Sequence, residues 1–457
     1  MTACAISKRC DKGHAMLQVA ASRWAIFRMA WPIIVANAAT PLLGLTDTAV
    51  IGNTGSTTEL GAIALGGMIF NFVYWSFGFL RMSTTGFISQ ASGAENPSEV
   101  RAILVRSLLQ GLVIGVGLIA LGPLIGRAAF ALLGASARVE SEAGNYFFVR
   151  IWGAPATLAS YALVGSFIGL RLSHRLLFTQ LFLNGLNMVL DIWFAGYLDW
   201  GARGIAWGTV VSEWSALGLG LWLARGVLSR PVGDRSPFFD WQKLLDRSKL
   251  RQTLGANADI MLRTLTLLAG FSWFTHQSAS FGDTALAANH VLLQFLSFSA
   301  FFLDGYAFVA ESLVGAAVGA GQRPAFDHAV RRSSELSVAT AVVLAAAIVG
   351  CGQFAIHGLT GIEAVRQEAT RYLPLAGLYV LCGCAAFQLD GIFVGATRTR
   401  DMRNASIQAF LVFVGASVVL SAKFANAGLW IAFSVYIVAR ALTLAFRFPA
   451  LRRSLPG

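Results

Sequence analysis

Residues 31–52 read WPIIVANAATPLLGLTDTAVIG, an apolar stretch that carries a single charged side chain, Asp47. A helix needs about 20 predominantly apolar residues to cross the hydrocarbon core of a bilayer, so this stretch predicts a membrane-spanning helix. Pro32 and Pro41 each lack a backbone donor, and Gly44 adds backbone freedom just before Asp47. We therefore expect these three residues to form hinges in a helix that carries a buried carboxyl group.

The rest of the chain follows the same pattern. Apolar residues make up 56% of the 457 residues and charged residues only 13%, whereas soluble domains carry about 25% charge. This composition excludes a soluble globular protein and predicts an all-α polytopic membrane protein. Polar and Pro/Gly gaps divide the chain into twelve candidate spans, near residues 24–50, 60–90, 102–126, 144–170, 175–198, 203–226, 252–279, 284–315, 328–352, 370–396, 404–424 and 427–448.

The basic residues lie mostly in the gaps between these spans. The net charge of +12 could suggest a nucleic-acid partner, but the distribution is typical of a protein that orients itself in a membrane. Twenty-four Lys and Arg residues lie on the side of both termini and six on the opposite side. We therefore expect a multi-pass protein of the cell inner membrane, with both termini in the cytoplasm and no nucleic-acid partner.

An internal repeat relates the two halves of the chain. A shift of 226 residues, without a gap, aligns Leu60 with Leu286, Gly93 with Gly319, Arg106 with Arg332, Tyr146 with Tyr372, Gly165 with Gly391 and Gly169 with Gly395. Six spans separate the copies, so both have the same orientation. This predicts two six-helix lobes related by a pseudo-twofold along the membrane normal, a transporter design. The predicted domains are an N-tail (1–23), an N-lobe (24–226), a cytoplasmic linker (227–251), a C-lobe (252–448) and a C-tail (449–457).

Buried polar residues mark a candidate site in the first lobe. An ionisable group inside a span is costly when unpaired, so each is a functional candidate. Asp47 and Asp191 lie deep in apolar runs with no basic residue one turn away. Thr209 lies in span 6, and Glu213, one turn further on, could be structural. One face of span 5 carries a polar stripe of Asn184, Asn187 and Asp191, in which Asn184 is a candidate substrate contact.

The second lobe carries different acids. In span 7, Asp259 lies near a span end, where we expect a carboxyl group to pair with basic residues on the cytoplasmic side, and Arg263 is one turn away. Carboxylates among aromatic rings suit bulky lipophilic cations, so span 8 is a candidate substrate-binding segment. It carries two acids and two rings along one face, namely Asp304, Glu311, Phe301 and Phe308.

No motif for catalysis is found. The sequence contains no His-Glu-x-x-His, no Gly-x-Ser-x-Gly and no phosphate-binding glycine loop. We therefore expect no enzymatic activity, no resident metal and no cofactor, and an ATP-driven pump is disfavoured. A receptor or channel is also disfavoured, because tandem repeats with asymmetric buried acids are more typical of transporters.

Several stretches resemble the multidrug and toxic compound extrusion (MATE) transporters. They are TDTAVIG around Asp47, the segment from Asn187 to Asp191, and GIAWGT ending at Thr209. In addition, LDGYAFVAESLVGAAVGAG (303–321), RYLPLAG (371–377) and LDGIFVGATRTRDMRN (389–404) are similar to the DinF branch of that family. The resemblance covers nearly the whole chain. It implies two lobes that form a V, alternating access, and export of organic compounds against an inward flow of H+ or Na+.

The resemblance also implies an ion-coupling site. In the family, the first lobe builds it from side chains that correspond here to Asp47, Tyr146, Asn187, Asp191 and Thr209. The DinF branch indicates H+ coupling and lipophilic or cationic substrates, exported by a monomer in the lipid bilayer. One alternative is Na+ coupling, with oxygen ligands from Asp47, Asn187, Asp191 and Thr209. Another is a flippase for lipid-linked precursors, which would need more basic residues within its spans than this chain has.

Overall fold

The computed structural model describes residues 22–133, 136–229 and 241–456. Most of the predicted N-tail and residues 230–240 of the predicted linker lie outside these ranges. All regular secondary structure in the described ranges is helical, which confirms the predicted all-α class. Eight of the helical segments are long and apolar enough to cross a membrane by length and composition alone.

The first six predicted spans form eight helices. They are α1 (Arg23–Thr54), α2 (Thr57–Ser76), α3 (Phe79–Gly93), α4 (Pro97–Leu133), α5 (Ala137–Arg150), α6 (Ala154–Gly169), α7 (Ser173–Asp191) and α8 (Gly201–Leu228). The second span is divided into α2 and α3. The fourth span bends at a 3₁₀ turn, Ile151–Gly153, between α5 and α6. After Asp191 the fifth span continues as a π-helical turn, Ile192–Tyr197.

The second half of the chain has longer helices. They are α9 (Trp241–Leu244), α10 (Arg247–Ala279), α11 (Asp283–Gly319), α12 (Arg323–Leu359), α13 (Glu363–Gly395), α14 (Thr399–Ala445) and α15 (Phe448–Arg453). Spans 11 and 12 both lie within α14, where Ala425, with a φ of 47°, divides them in place of a loop. The twelve predicted spans are therefore confirmed.

The described helices belong to two compact units. Unit 1 comprises the chain through Ile34, Ser89–Glu95 and the chain from Gln252 onward, and unit 2 comprises Val35–Ile88 and Asn96–Arg251. In unit 1, α13 packs against α11, α12 and α14; in unit 2, α6 packs against α4, and α8 against α7. Helix α1 contributes to both units. Its residues through Ile34, two positions after Pro32, belong to unit 1, and those from Val35 belong to unit 2.

The backbone repeats with the period predicted from the sequence. Left-handed residues end helices in three pairs, each separated by 226 positions: Glu95 and Gly321, Arg171 and Thr397, Asp199 and Ala425. The hydrogen bonds at these ends repeat as well. The amide of Leu172 donates to the Phe167 carbonyl at 2.7 Å, and the amide of Arg398 donates to the Phe393 carbonyl at 2.9 Å. This is the bond that closes a helix C-terminus at a left-handed residue. Five of the six residues are not glycine, the residue that usually adopts a positive φ, so the sequence did not predict these left-handed conformations.

The glycines shared by the two halves lie where helices cross. In unit 2, a Cβ on Gly165 would overlap the Arg81 carbonyl of α3, and one on Gly169 would lie 3.0 Å from the Thr85 carbonyl. In unit 1, Gly391 and Gly395 meet the carbonyls of α11 in the same way, at Ala307 and Glu311. Glycines four residues apart let membrane helices approach closely. The same type of helix crossing therefore occurs in both halves: α3 crosses α6 in the first half, and α11 crosses α13 in the second.

Replacing Gly391 with Ala should destabilise the protein. The added methyl group would overlap the α11 backbone, and overpacking of this kind costs about 1–3 kcal/mol. Gly350→Ala in α12 is the matched control, because nothing lies within 4 Å of its Cβ position and alanine favours a helix by about 1 kcal/mol over glycine. Thermal unfolding in detergent should therefore show a lower midpoint for Gly391→Ala and an unchanged or higher one for Gly350→Ala. Equal midpoints would contradict a tight crossing.

Candidate functional site

The polar stripe of α7 reaches α8 through side-chain hydrogen bonds. The Asn187 amide Nδ2 donates to Asp191 Oδ1 and to Thr209 Oγ1, both at 3.3 Å. Thr209 donates its own proton to the Ile205 carbonyl at 2.9 Å. Gly208 makes room for this arrangement, because a Cβ there would overlap Asp191 Oδ1. Three of the predicted ion-coupling residues therefore form one connected group.

Asp47 of α1 meets this group through Asp191. The two carboxyl groups lie within hydrogen-bonding reach of each other. The Asp191 side chain is fully buried, whereas Asp47 is half-buried. Among the described residues, neither Asp47 Oδ1 nor Asp191 Oδ2 has a hydrogen-bond partner. Two neighbouring carboxyl groups, each with an oxygen that lacks a partner, can share one proton, which one acid donates to the other in a hydrogen bond.

Tyr146 of α5 lies beside the carboxyl pair. Its side chain is buried, and both Asp47 and Asp191 act on it electrostatically. The ring occupies space that Gly66 of α2 leaves open, since a Cβ there would overlap it. Tyr146 also packs edge-on against Phe70, with 6.4 Å between ring centroids. The five residues expected to form the site thus lie together in unit 2.

The remaining first-half candidates have different surroundings. Asn184 is buried, and no described residue pairs with its Nδ2. Pro32 is buried, whereas Pro41 and Gly44 are exposed. All three predicted hinge residues lie within α1, which remains helical from Arg23 to Thr54.

Glu213, for which the sequence left a structural role open, pairs with Arg150. Arg150 Nη1 donates to Glu213 Oε2 at 2.8 Å, and Nη2 donates to Oε1 at 2.6 Å. The guanidinium also lies 5.1 Å from the Phe70 ring centroid and donates to the Tyr74 hydroxyl at 3.4 Å. The pair lies one helical turn beyond Tyr146 and Thr209. Sequence reasoning did not recognise Arg150 as a partner of Glu213.

Helix α11 carries the candidate substrate contacts. Phe301, Asp304 and Phe308 are half-buried, and Glu311 is buried with 2% of its surface exposed. The spacing from Asp304 to Glu311 places both carboxylates on one helix face. Asp304, Phe308 and Glu311 all have interaction partners in the structure.

Asp259 pairs with a basic residue, as expected, although not with Arg263. Asp259 instead accepts hydrogen bonds from Arg403 Nη1 at 2.6 Å and from Thr399 Oγ1 at 3.0 Å. Arg263 donates to Asp390, which also accepts from Arg440 Nη2 at 2.5 Å. Asp259 therefore pairs with an arginine on another helix and not with the one a turn away. Adjacency along a helix was therefore a poor guide to ion pairing here.

Comparisons with known proteins agree with these observations. The MatE family model matches this chain twice, over residues 32–193 and 260–420. The chain is 34% identical to DNA damage-inducible protein F of Escherichia coli over 92% of its length and 91% of the relative. It is 27% identical to a probable multidrug resistance protein NorM of Rhizobium meliloti over 92% of each chain. A solved structure described as MATE in the bent conformation has a TM-score of 0.85 at 20% identity, covering 97% of this chain and 99% of that one.

Proposed function

The chain belongs to the MatE family of multidrug efflux transporters, and from this premise we propose that it is an H+-coupled antiporter for lipophilic and cationic compounds. Protons would flow inward through the site of Asp47, Tyr146, Asn187, Asp191 and Thr209. The observation that carries this proposal is the carboxyl pair, in which each acid has one oxygen without a described partner.

The geometry favours a proton over Na+. Two ionised carboxylates within hydrogen-bonding reach of each other repel, and sharing one proton removes that repulsion. A cation site would need several converging oxygens, and here Asn187 directs its amide donors toward Asp191 and Thr209. Na+ coupling through the same residues is the alternative that the experiment must distinguish.

The position of Pro32 supports a hinge in α1. The boundary between unit 1 and unit 2 follows Ile34, two residues after Pro32. A proline removes a backbone hydrogen bond and so permits bending at this point. We expect α1 to bend when the charge on Asp47 changes. In the proposed cycle, this bend closes the cavity of the N-lobe (24–226) and expels substrate, and proton release to the cytoplasm restores the starting state.

The proposed setting is the cell inner membrane. The bias of 24 basic residues against six supports cytoplasmic termini and a cytoplasmic linker, and we propose that the protein acts as a monomer of two lobes. A flippase for lipid-linked precursors has less support. Arg150, Arg263 and Arg440 lie within the spans, and each already pairs with a buried acid.

Proteoliposomes with separately imposed gradients test this proposal. We expect an imposed H+ gradient to drive transport of a fluorescent cationic dye, and an imposed Na+ gradient at equal pH to have no effect. Dye transport that follows Na+ and ignores pH would make the same residues a Na+ site. Transport driven by neither gradient would contradict an ion-coupled antiporter.

The two acids of α11 should bias transport toward cations. Asp304→Asn and Glu311→Gln each remove a charge that favours a cationic substrate. We therefore expect a several-fold loss in export of a cationic dye and little change for a neutral compound of similar size. Because Asp304 is half-buried and Glu311 buried, the change at Asp304 should have the larger selective effect. Equal losses for both substrates would indicate a structural or coupling role.

A further inference from the structure

The Arg150–Glu213 pair forms a second layer of charge next to the carboxyl site. Arg150 follows Tyr146 by four residues in α5, and Glu213 follows Thr209 by four residues in α8. Residues four apart lie one above the other on a helix face. The ion pair therefore lies directly beyond two of the site residues, one turn further along each helix.

The fold holds this pair in one geometry. Both side chains are buried and joined by two parallel hydrogen bonds at 2.8 and 2.6 Å, an arrangement that fixes orientation as well as distance. The rings of Phe70 and Tyr74 face the guanidinium at 5.1 and 5.5 Å. Gly153, in the 3₁₀ turn, leaves the space, since a Cβ there would overlap Glu213 Oε2.

Arg150 also interacts electrostatically with acids other than its partner Glu213. Its charge acts on both Asp47 and Asp191 across the low-dielectric interior of unit 2. Glu213 accepts two hydrogen bonds from the guanidinium and offsets part of that charge. The titratable groups that bear on this region come from six helices and are Asp47, Tyr74, Tyr146, Arg150, Tyr161, Asp191 and Glu213.

We propose that the Arg150–Glu213 ion pair sets the pH range over which the exporter takes up and releases its coupling proton. Arg150 favours the ionised carboxylates and so promotes proton release, while Glu213 limits that effect by holding and neutralising the guanidinium. This inference rests on the proposed H+-coupled function and assigns a tuning role to two residues outside the carboxyl site. Neither residue touches the proton in this scheme.

Charge removal on each side of the pair should move the pH dependence in opposite directions. Arg150→Met removes the nearby positive charge, so the carboxyl pair keeps its proton to higher pH, and the midpoint of transport against pH should rise. Glu213→Gln leaves the guanidinium uncompensated, so the midpoint should fall. The rise should be on the order of one pH unit, as expected for removal of one nearby charge at an effective dielectric constant of about 20. The fall should be smaller, since Arg150, and not Glu213, is among the charges that act on the two acids.

Three further variants keep the test decisive where a single change impairs insertion. Arg150→Lys retains the charge and should keep the midpoint near that of the natural protein. The double variant Arg150→Met with Glu213→Gln leaves no buried charge unpaired, and its midpoint should lie between those of the single variants. Arg225→Met removes an exposed arginine at the end of α8 and should leave the midpoint unchanged.

The measurement is dye transport in proteoliposomes, at equal reconstituted protein, over a series of pH values. Opposite shifts from Arg150→Met and Glu213→Gln support the inference. Unchanged midpoints, or shifts in the same direction, would overturn it and leave the pair a structural one. The proposed function would fail differently, because then the unmodified protein would show no H+-driven transport at any pH.

Discussion

Asp47→Asn and Asp191→Asn should each abolish export driven by a proton gradient, down to the level of empty liposomes. An asparagine resembles the protonated acid in shape and charge but cannot release a proton. Each variant would therefore be held in the state that follows proton uptake. Because neither acid forms an ion pair with an arginine or lysine in the described residues, we expect both variants to insert and to bind dye.

The matched control is Asp199→Asn, which removes an exposed acid in the connection between α7 and α8. It should transport normally, so that loss of activity is specific to the two acids of the site. Dye binding, measured by fluorescence anisotropy in detergent, separates a loss of coupling from a loss of the site. If either Asp47→Asn or Asp191→Asn exports normally under an imposed pH gradient, that carboxyl group is not the coupling group.

The sequence predicted the helices well because hydropathy decides them. A span that must cross a bilayer has to be long and apolar, and the polar gaps between the spans leave little doubt about their number. The breaks inside the spans were harder to predict. Ala425 ends a span in a left-handed conformation without glycine or proline, and the 3₁₀ turn at Ile151–Gly153 has no distinctive residue except its glycine.

The site was predictable only in part, because the sequence pattern defines single helices but not how they pack together. The stripe on α7 follows from helical spacing, so Asn187 and Asp191 could be placed on one face. Their approach to Asp47 depends on how helices pack, and spacing along one helix does not contain that information. The repeated glycines carried a packing signal, since Gly165 and Gly391 mark crossings that a larger side chain would prevent.

Ion pairs between helices were the least predictable feature. Asp390 lies 127 residues from Arg263 and 50 from Arg440, so no local pattern joins them. The result is a buried acid that neutralises two arginines and connects α10, α13 and the second part of α14. Because both guanidiniums already occupy this carboxylate, it is poorly suited to bind a coupling cation, which supports the proposed site in unit 2.

Asp390→Asn should therefore be the most destabilising single change in unit 1. It leaves two like charges buried together without their acid, and breaking a buried ion pair by removing one partner costs about 3–5 kcal/mol. We expect a greatly reduced yield of folded protein and a lower unfolding temperature in detergent. Arg440→Met should be milder, because Asp390 then keeps Arg263 as its partner. The triple variant Asp390→Leu, Arg263→Met and Arg440→Met should recover most of the lost stability, since apolar replacement of a buried ionic group is often neutral or stabilising. An Asp390→Asn protein as stable as the natural one would mean that the two arginines do not depend on this acid.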